Sequence, residues 1–313
     1  MKIAVYQTDP VLLDLKTNLE EVIEKIKHGR EQGAQLIVFP ELALTGYFVG
    51  QRYHEVALRL DSPEIRRLVS ATKGTAAVIG FIEESPSMNF YDSALVAVDG
   101  EIRFAYRKLN LPNYGVFEER KYFASGKQVP VFRLHGFALA TFICNDLWHP
   151  SLPYLSVCRK ADIFVTIINS TEDAMGDEFS NIETWGIINT FYSRVFGVYN
   201  ICANRVGGES FENRRSHADA SSEKTDTEKK SRSRKEKGIY RFWGGSEIVN
   251  PYGKTIAKAA LYKPDEIFAE ITRDLLRKKR ILLPYLRNDD PYFTHRELQR
   301  ILYEKKKTSD TGV

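Results

Sequence analysis

Phe142-Ile143-Cys144-Asn145-Asp146 is the stretch on which the reading turns. The apolar run Phe137 to Ile143 reads as a buried strand, and a cysteine stands where it ends. Two further apolar strands end on a charged residue. Leu36-Ile37-Val38-Phe39-Pro40 leads to Glu41, and Ile102-Arg103-Phe104-Ala105-Tyr106-Arg107 leads to Lys108. In layered α/β folds, strand ends open into the crevice where ligands bind. A carboxylate, an ammonium and a thiol brought to one crevice make a base, a cation and a nucleophile. That set suggests covalent acyl transfer through sulfur.

Outward from this stretch, strands and helices alternate. Strands are expected at Lys2–Gln7, Leu36–Phe39, Ala76–Phe81, Asp92–Val98, Ile102–Arg107, Val131–Leu134, Phe137–Ile143, Ile163–Ile168 and Val198–Asn204. Asp99-Gly100 and His135-Gly136 read as tight hairpin turns. Leu15, Leu19, Val22, Ile23 and Ile26 recur at helical spacing behind Asp14, a suitable cap. Ser62-Pro63-Glu64 opens a second helix. Others are expected near Pro150–Lys160 and Asn181–Phe196. Shorter strands follow at Gly245–Val249, Thr255–Ala259 and Ile267–Ile271, and Leu275 to Tyr303 reads as helical. Sheets covered by helices on their outer faces account for this order.

Gly207 to Gly238 breaks the rhythm, being rich in Ser, Lys, Arg and Glu and poor in apolar residues. Such a segment buries too little surface to offset its ordering entropy, so a mobile surface insertion spanning about 207–240 is expected. From Glu212 to Arg241 ten Lys/Arg stand against six Asp/Glu, a net of +4, the same as the whole chain of 313 residues. The remainder is formally neutral, which argues against a nucleic-acid partner. The run Lys229–Lys237 carries one acid, Glu236, among its bases and no aromatic residues, and reads as a solvated loop. No apolar run approaches the roughly 20 residues of a membrane helix. Met1 to Tyr6 begins as a strand, without a signal peptide's layout, and the three cysteines (Cys144, Cys158, Cys202) are odd in number. A cytoplasmic setting is expected, with Cys158 and Cys202 as core residues. The six histidines are scattered, so no metal or other cofactor is implied.

Phe39-Pro40-Glu41-Leu42 with Thr45-Gly46-Tyr47, Tyr106-Arg107-Lys108-Leu109-Asn110-Leu111-Pro112, Cys144-Asn145-Asp146, Asn204-Arg205-Val206-Gly207 and Gly244 to Gly253 carry a resemblance to the nitrilase, or carbon–nitrogen hydrolase, superfamily. The resemblance implies a four-layer α-β-β-α sandwich, commonly paired into homodimers or larger assemblies. A hydrolase domain at 1–272, with a helical extension at 273–313, is expected. The resemblance also implies a Glu-Lys-Cys triad of Glu41, Lys108 and Cys144. Glu119 resembles the family's second glutamate, with Glu118 as its neighbouring competitor. Tyr47, Tyr114 and Phe117 are candidate walls of an acyl pocket, and Asn169 and Ser170 are candidate borders of the site. The backbone N–H of Asn145, with Lys108, is a candidate oxyanion donor. His149, five residues past the cysteine, is the alternative dyad partner.

Leu111-Pro112-Asn113-Tyr114-Gly115-Val116-Phe117-Glu118-Glu119-Arg120 resembles the glutaminase domain of glutamine-dependent NAD synthetases. Where that branch carries a basic substrate-binding stretch, this chain has Glu172-Asp173, and no segment resembles an ATP-pyrophosphatase domain. Nitrilases proper typically carry Trp after the nucleophile, where Asn145 stands here. The leading expectation is an amidase for a small carboxamide or N-carbamoyl compound, working through a thioester. One alternative is a stand-alone glutaminase passing ammonia to a separate synthetase. Another is a catalytically silent binding protein.

Overall fold

The computed structural model describes residues 1–172, 179–210 and 239–310. In chain order the elements are β1 (Lys2–Gln7), α1 (Leu15–Glu31), β2 (Leu36–Val38), α2 (Pro63–Ala71), β3 (Ala76–Glu84), β4 (Phe90–Val98), β5 (Glu101–Arg107) and α3 (Glu119–Tyr122). They continue with β6 (Val131–Leu134), β7 (Phe137–Ile143), α4 (Ser151–Cys158), β8 (Ile163–Ile168), α5 (Asn181–Phe196), β9 (Tyr199–Asn204), β10 (Val206–Ser210) and β11 (Ile239–Trp243). Last come β12 (Glu247–Val249), β13 (Thr255–Lys258), β14 (Asp265–Glu270), α6 (Arg273–Leu282), α7 (Tyr285–Asn288) and α8 (Pro291–Asp310).

Local chemistry fixes the ends of these elements. Asp14 caps α1 through the Thr17 N–H, and Ser62 caps α2 with Pro63 in its first turn. Ser180 caps α5, which stops at the left-handed Gly197. Asp99-Gly100 (φ 53° and 81°) and His135-Gly136 (φ 46° and 80°) form the two expected turns, both residues of each at positive φ.

Two six-stranded sheets result, ordered β14-β1-β2-β3-β4-β5 and β13-β12-β9-β8-β7-β6. Each has three parallel strands at its centre, β1-β2-β3 in one and β7-β8-β9 in the other, with antiparallel strands outside. The inner faces meet in a core that includes Val5, Val38, Val78 and Val96 from one sheet and Leu139, Ile143, Val165 and Ile201 from the other. α1 and α2 cover the first sheet through Leu19, Val22, Ile26, Ile65 and Leu68. α4 and α5 cover the second through Leu152, Val157, Trp185, Tyr192 and Phe196. These are the four layers α-β-β-α. Leu276 of α6 joins the core between the sheets, so the C-terminal extension begins inside the sandwich.

Two expectations need correction. Gly207–Ser210 and Ile239–Tyr240, assigned from sequence to the mobile insertion, are strand residues. β10 and β11 pair antiparallel from Val206↔Trp243 to Ser210↔Ile239. Backbone pairing here does not depend on an apolar pattern, which Gly207-Gly208-Glu209-Ser210 lacks. Residues 211–238, the rest of that expectation, and residues 173–178 lie outside the described residues. Second, Cys202 is buried but Cys158 is only partly so, because it ends α4 at the surface. No described helix is long and apolar enough to cross a membrane.

Candidate active site

Four strand ends meet along one edge of the sandwich. β2 runs through Phe39-Pro40 into Glu41, β5 into Lys108, β7 into Cys144 and β8 into Asn169. Cys144 has φ 44°, a left-handed conformation rare for a residue with a Cβ, and opens a 3-10 turn to Trp148. The Lys108 ammonium donates to Glu41 Oε1 at 2.6 Å and to Glu119 Oε1 at 2.8 Å, and lies 3.2 Å from Asp92 Oδ2. Glu41, Lys108 and Asp92 are fully buried, and Glu119 nearly so. The Tyr47 hydroxyl donates to Glu119 Oε1 at 2.6 Å. Asn169 donates its side-chain amide to the Glu41 carbonyl at 2.8 Å.

Burial dominates the electrostatics. It raises the Glu41 carboxyl above its ordinary range, opposed by Lys108 and reinforced by Glu119. Burial likewise pushes Glu119 up to about 7, again against Lys108. The Cys144 thiol is held well above its ordinary value by burial and then by the Glu41 charge, with Lys108 pulling the other way. Sequence reasoning expected the lysine to favour the thiolate. It does so, but burial and the Glu41 charge outweigh it and favour the thiol form. Lys108 stays firmly protonated, because three carboxylates overcome its desolvation.

Of the sequence candidates, Glu41, Lys108, Cys144, Glu119, Tyr47 and Asn169 converge. Glu119 rather than Glu118 reaches the lysine. Tyr47 lies beneath the site with its hydroxyl committed to Glu119, so it supports that carboxylate where a pocket wall was expected. Tyr114 and Phe117 do line an open cleft of about 540 Å³, with Asn113, Gly115, Glu118, Arg120 and Lys121. The Tyr114 hydroxyl donates to Asn145 Oδ1 at 3.0 Å, which sets the cleft against the residue that follows Cys144. Ser170 is buried next to Asn169, its N–H bonded to Asn204 Oδ1. His149 is exposed beyond the 3-10 turn, and Trp148 packs edge-on against Trp185.

Sequence reasoning missed Asp92 and the work of Asp146. Asp146 is fully buried and accepts from the Tyr106 hydroxyl at 2.8 Å and from the Asn110 and Leu109 N–H groups at 2.8 and 3.1 Å. It ties the cysteine's turn to the chain just past Lys108. Glu209 on β10 accepts from the Tyr47 and Phe48 N–H groups at 3.1 and 2.7 Å, and the buried Arg205 holds it in place. Glu41, Asp92 and Glu119 bring one oxygen each within 4.8 Å of the others, a spacing that could suit a metal ion. Each of these carboxylates has an oxygen within 3.2 Å of the Lys108 ammonium, which supplies the local positive charge.

Comparison with known proteins agrees with this geometry. The carbon-nitrogen hydrolase family model matches residues 2–281. A glutamine-dependent NAD(+) synthetase of Acinetobacter baylyi is 30% identical over 281 residues, covering 90% of this chain and 46% of that protein. The chain therefore spans less than half the length of that relative. An N-carbamoylputrescine amidase of Solanum tuberosum is 23% identical over 85% of each protein. Among solved structures, an amidase variant from Nesterenkonia sp. AN1 superposes with a TM-score of 0.72 at 22% identity, covering 95% of this chain and 96% of that one. In that structure the acetamide moiety of fluoroacetamide is covalently added at the active-site cysteine. Family match, sandwich topology and the Glu41-Lys108-Cys144 edge coincide, and this chain belongs to the carbon-nitrogen hydrolase family.

Proposed function

We propose that the chain hydrolyses a small carboxamide or N-carbamoyl compound through a thioester on Cys144. The observation that carries this reading is the buried ion pair of Lys108 with Glu41 and Glu119, set beside a cysteine on a left-handed turn. Burial favours the thiol form, so sulfur attacks the carbonyl as Glu41 accepts its proton. The developing oxyanion meets the Asn145 N–H and the positive charge of Lys108. Glu41 then returns the proton to the departing nitrogen, the C–N bond breaks, and ammonia or an amine leaves the thioester. Water enters, Glu41 takes one of its protons, and the attack releases the carboxylic acid and restores the thiol. Glu119 keeps the ammonium in register, and Tyr47 keeps Glu119 in place. The covalent adduct described for the Nesterenkonia amidase supports the assignment of the nucleophile. A free, chemically active thiol suits a reducing cytoplasm.

A second reading is a glutaminase that supplies ammonia to a separate synthetase. It is favoured by the match over 90% of this chain to a glutamine-dependent NAD(+) synthetase. Ammonia release from a panel of carboxamides, N-carbamoyl amino acids, glutamine and nitriles, with wild type beside Cys144→Ala, tests both readings. Activity on one amide class, abolished in the variant, is expected. Turnover of glutamine alone would favour the second reading. Silence across the panel from folded wild type would count against the first.

A further inference from the structure

Asp92 is the group at the site that the mechanism above does not use. It stands near the start of β4, opposite Ile82 of β3, and its carbonyl accepts the Lys108 N–H at 2.9 Å. Its side chain is fully buried. Neither of its oxygens has a hydrogen-bond donor among the described residues, and neither has Glu41 Oε2. Among the described residues, the ion-pair partner of Asp92 is the Lys108 ammonium, 3.2 Å from Oδ2. The Asp92 and Glu41 carboxyl groups bring oxygens within 4.8 Å of each other, and each has an oxygen within 3.2 Å of the same Lys108 ammonium. Two carboxylates cannot bond each other, since both only accept. One added proton turns that contact into a carboxyl–carboxylate hydrogen bond and gives an orphaned oxygen its partner.

Charge counting leads to the same place. Three buried carboxylates around one ammonium would carry a net charge of −2 if all were ionised. Among the described residues, the other ionisable groups coupled to the cluster include Cys144, Tyr47, Tyr106, Tyr114 and Asp146, and none of these is a cation. Glu83 on β3 is engaged elsewhere, by Ser93 and Arg107. A dry site does not hold such an excess, and interacting carboxyls then share protons as a set.

We propose that Asp92 and Glu41 share one proton, held at rest by Asp92, and that Asp92 is a positioning residue that keeps Glu41 ionised and aimed as the base. This rests on the reading of Glu41 as the base. The neutral Asp92 carboxyl donates to the Glu41 carboxylate while Lys108 donates to its other oxygen. Burial, and then the Glu41 charge, hold Asp92 well above the ordinary carboxylate range, which agrees with this placement of the proton. Asp92→Asn keeps the shape and supplies a permanent donor, so it imitates the resting state. Asp92→Ala removes the donor.

Infrared spectra of protein labelled with [4-13C]aspartate test the placement. An isotope-sensitive neutral-carboxyl band is expected in wild type at pH 7 and absent in Asp92→Asn. Alkylation of Cys144 by iodoacetamide across pH 5–10 tests the consequence. Asp92→Asn is expected within about threefold of wild type at pH 7, and Asp92→Ala at least about tenfold slower. A wild-type spectrum without the band, or one unchanged in Asp92→Asn, would overturn the proposal. If Asp92→Asn does not fold, the same label in Asp146→Asn decides, because that variant removes the other buried aspartate raised by its surroundings. If wild-type Cys144 is never alkylated, the thiol mechanism fails, while the infrared result still judges the proton.

Discussion

Glu119 shows how a single buried side chain links stability to pH. Burial lifts its carboxyl from an ordinary value of 4.5 to about 7, although Lys108 opposes the shift. Because the folded pKa is the higher one, the folded chain binds this proton more tightly than the unfolded chain does. The resulting stabilisation is complete below about pH 4.5 and is lost as pH rises through about 7, amounting to roughly 3 kcal/mol. Thermal unfolding at pH 5 and pH 8 should therefore show a decline in wild type that is smaller in Glu119→Gln. Equal declines in both proteins would remove Glu119 from the account. Tyr47 acts through the same carboxylate. Its hydroxyl bond of 2.6 Å to Glu119 is charge-assisted whenever Glu119 is ionised, and such bonds contribute about 1.5–3 kcal/mol. Tyr47→Phe should keep the fold and lower kcat on the substrate found by the amide panel about tenfold or more, with KM little changed. A variant with unaltered kcat would show that the hydroxyl merely fills space. The sequence made Glu41, Lys108 and Cys144 legible as candidates because each follows an apolar strand. It hid Asp92, since a carboxylate early in a strand reads as exposed. Only the packing of β4 between β3 and β5 buries it against Lys108.

At the scale of elements, the site depends on strands that approach more closely than side chains normally permit. Gly80 on β3 runs under the turn after β2. A Cβ there would stand 2.6 Å from Glu41 Cα and closer still to Leu42 N and the Pro40 carbonyl. All three are backbone atoms and cannot rotate away. Gly80→Ala should therefore shift the Glu41 segment away from Lys108. Stability should fall by about 1–3 kcal/mol, as overpacked cores do, and iodoacetamide should alkylate Cys144 at a changed rate. Urea unfolding and thiol alkylation check the two effects, and wild-type values for both would show that the turn can yield. The hairpins at Asp99-Gly100 and His135-Gly136 and the helix caps were readable because each rests on chemistry within a few residues. β10 and β11 were not, because their pairing spans residues 211–238 and their link to the site is tertiary. Glu209 reaches back to the Tyr47 and Phe48 N–H groups, so the hairpin helps fix the loop that carries Tyr47.

The whole molecule is two sheets back to back, each sending strand ends to one edge, with helices outside. One outer face is unusually apolar for a surface. On α5, Ile187 and Phe191 are 66% and 53% exposed, and Ile281, Leu282 and Tyr285 of the C-terminal segment are exposed too. α7 packs beside α5 through Phe196 and Tyr285, so the two sets belong to neighbouring elements. Apolar side chains in such number commonly mark an interface. Self-pairing through this helical face fits both the exposure and the assemblies expected from the family resemblance. A two-fold pairing would set each patch against its own copy, and a stable one would bury on the order of 1,000 Å² or more. Sedimentation velocity at micromolar concentration should then report a species larger than 35.9 kDa, changed little by added salt because the contact is apolar. The double substitution Ile187→Asp with Phe191→Asp should return it to monomer, since pairing would bury uncompensated carboxylates. Neither residue touches the cluster around Lys108, so Cys144 alkylation measures whether the monomer keeps its site. Wild type sedimenting as a monomer, or a double variant that still assembles, would move the interface elsewhere or abolish it.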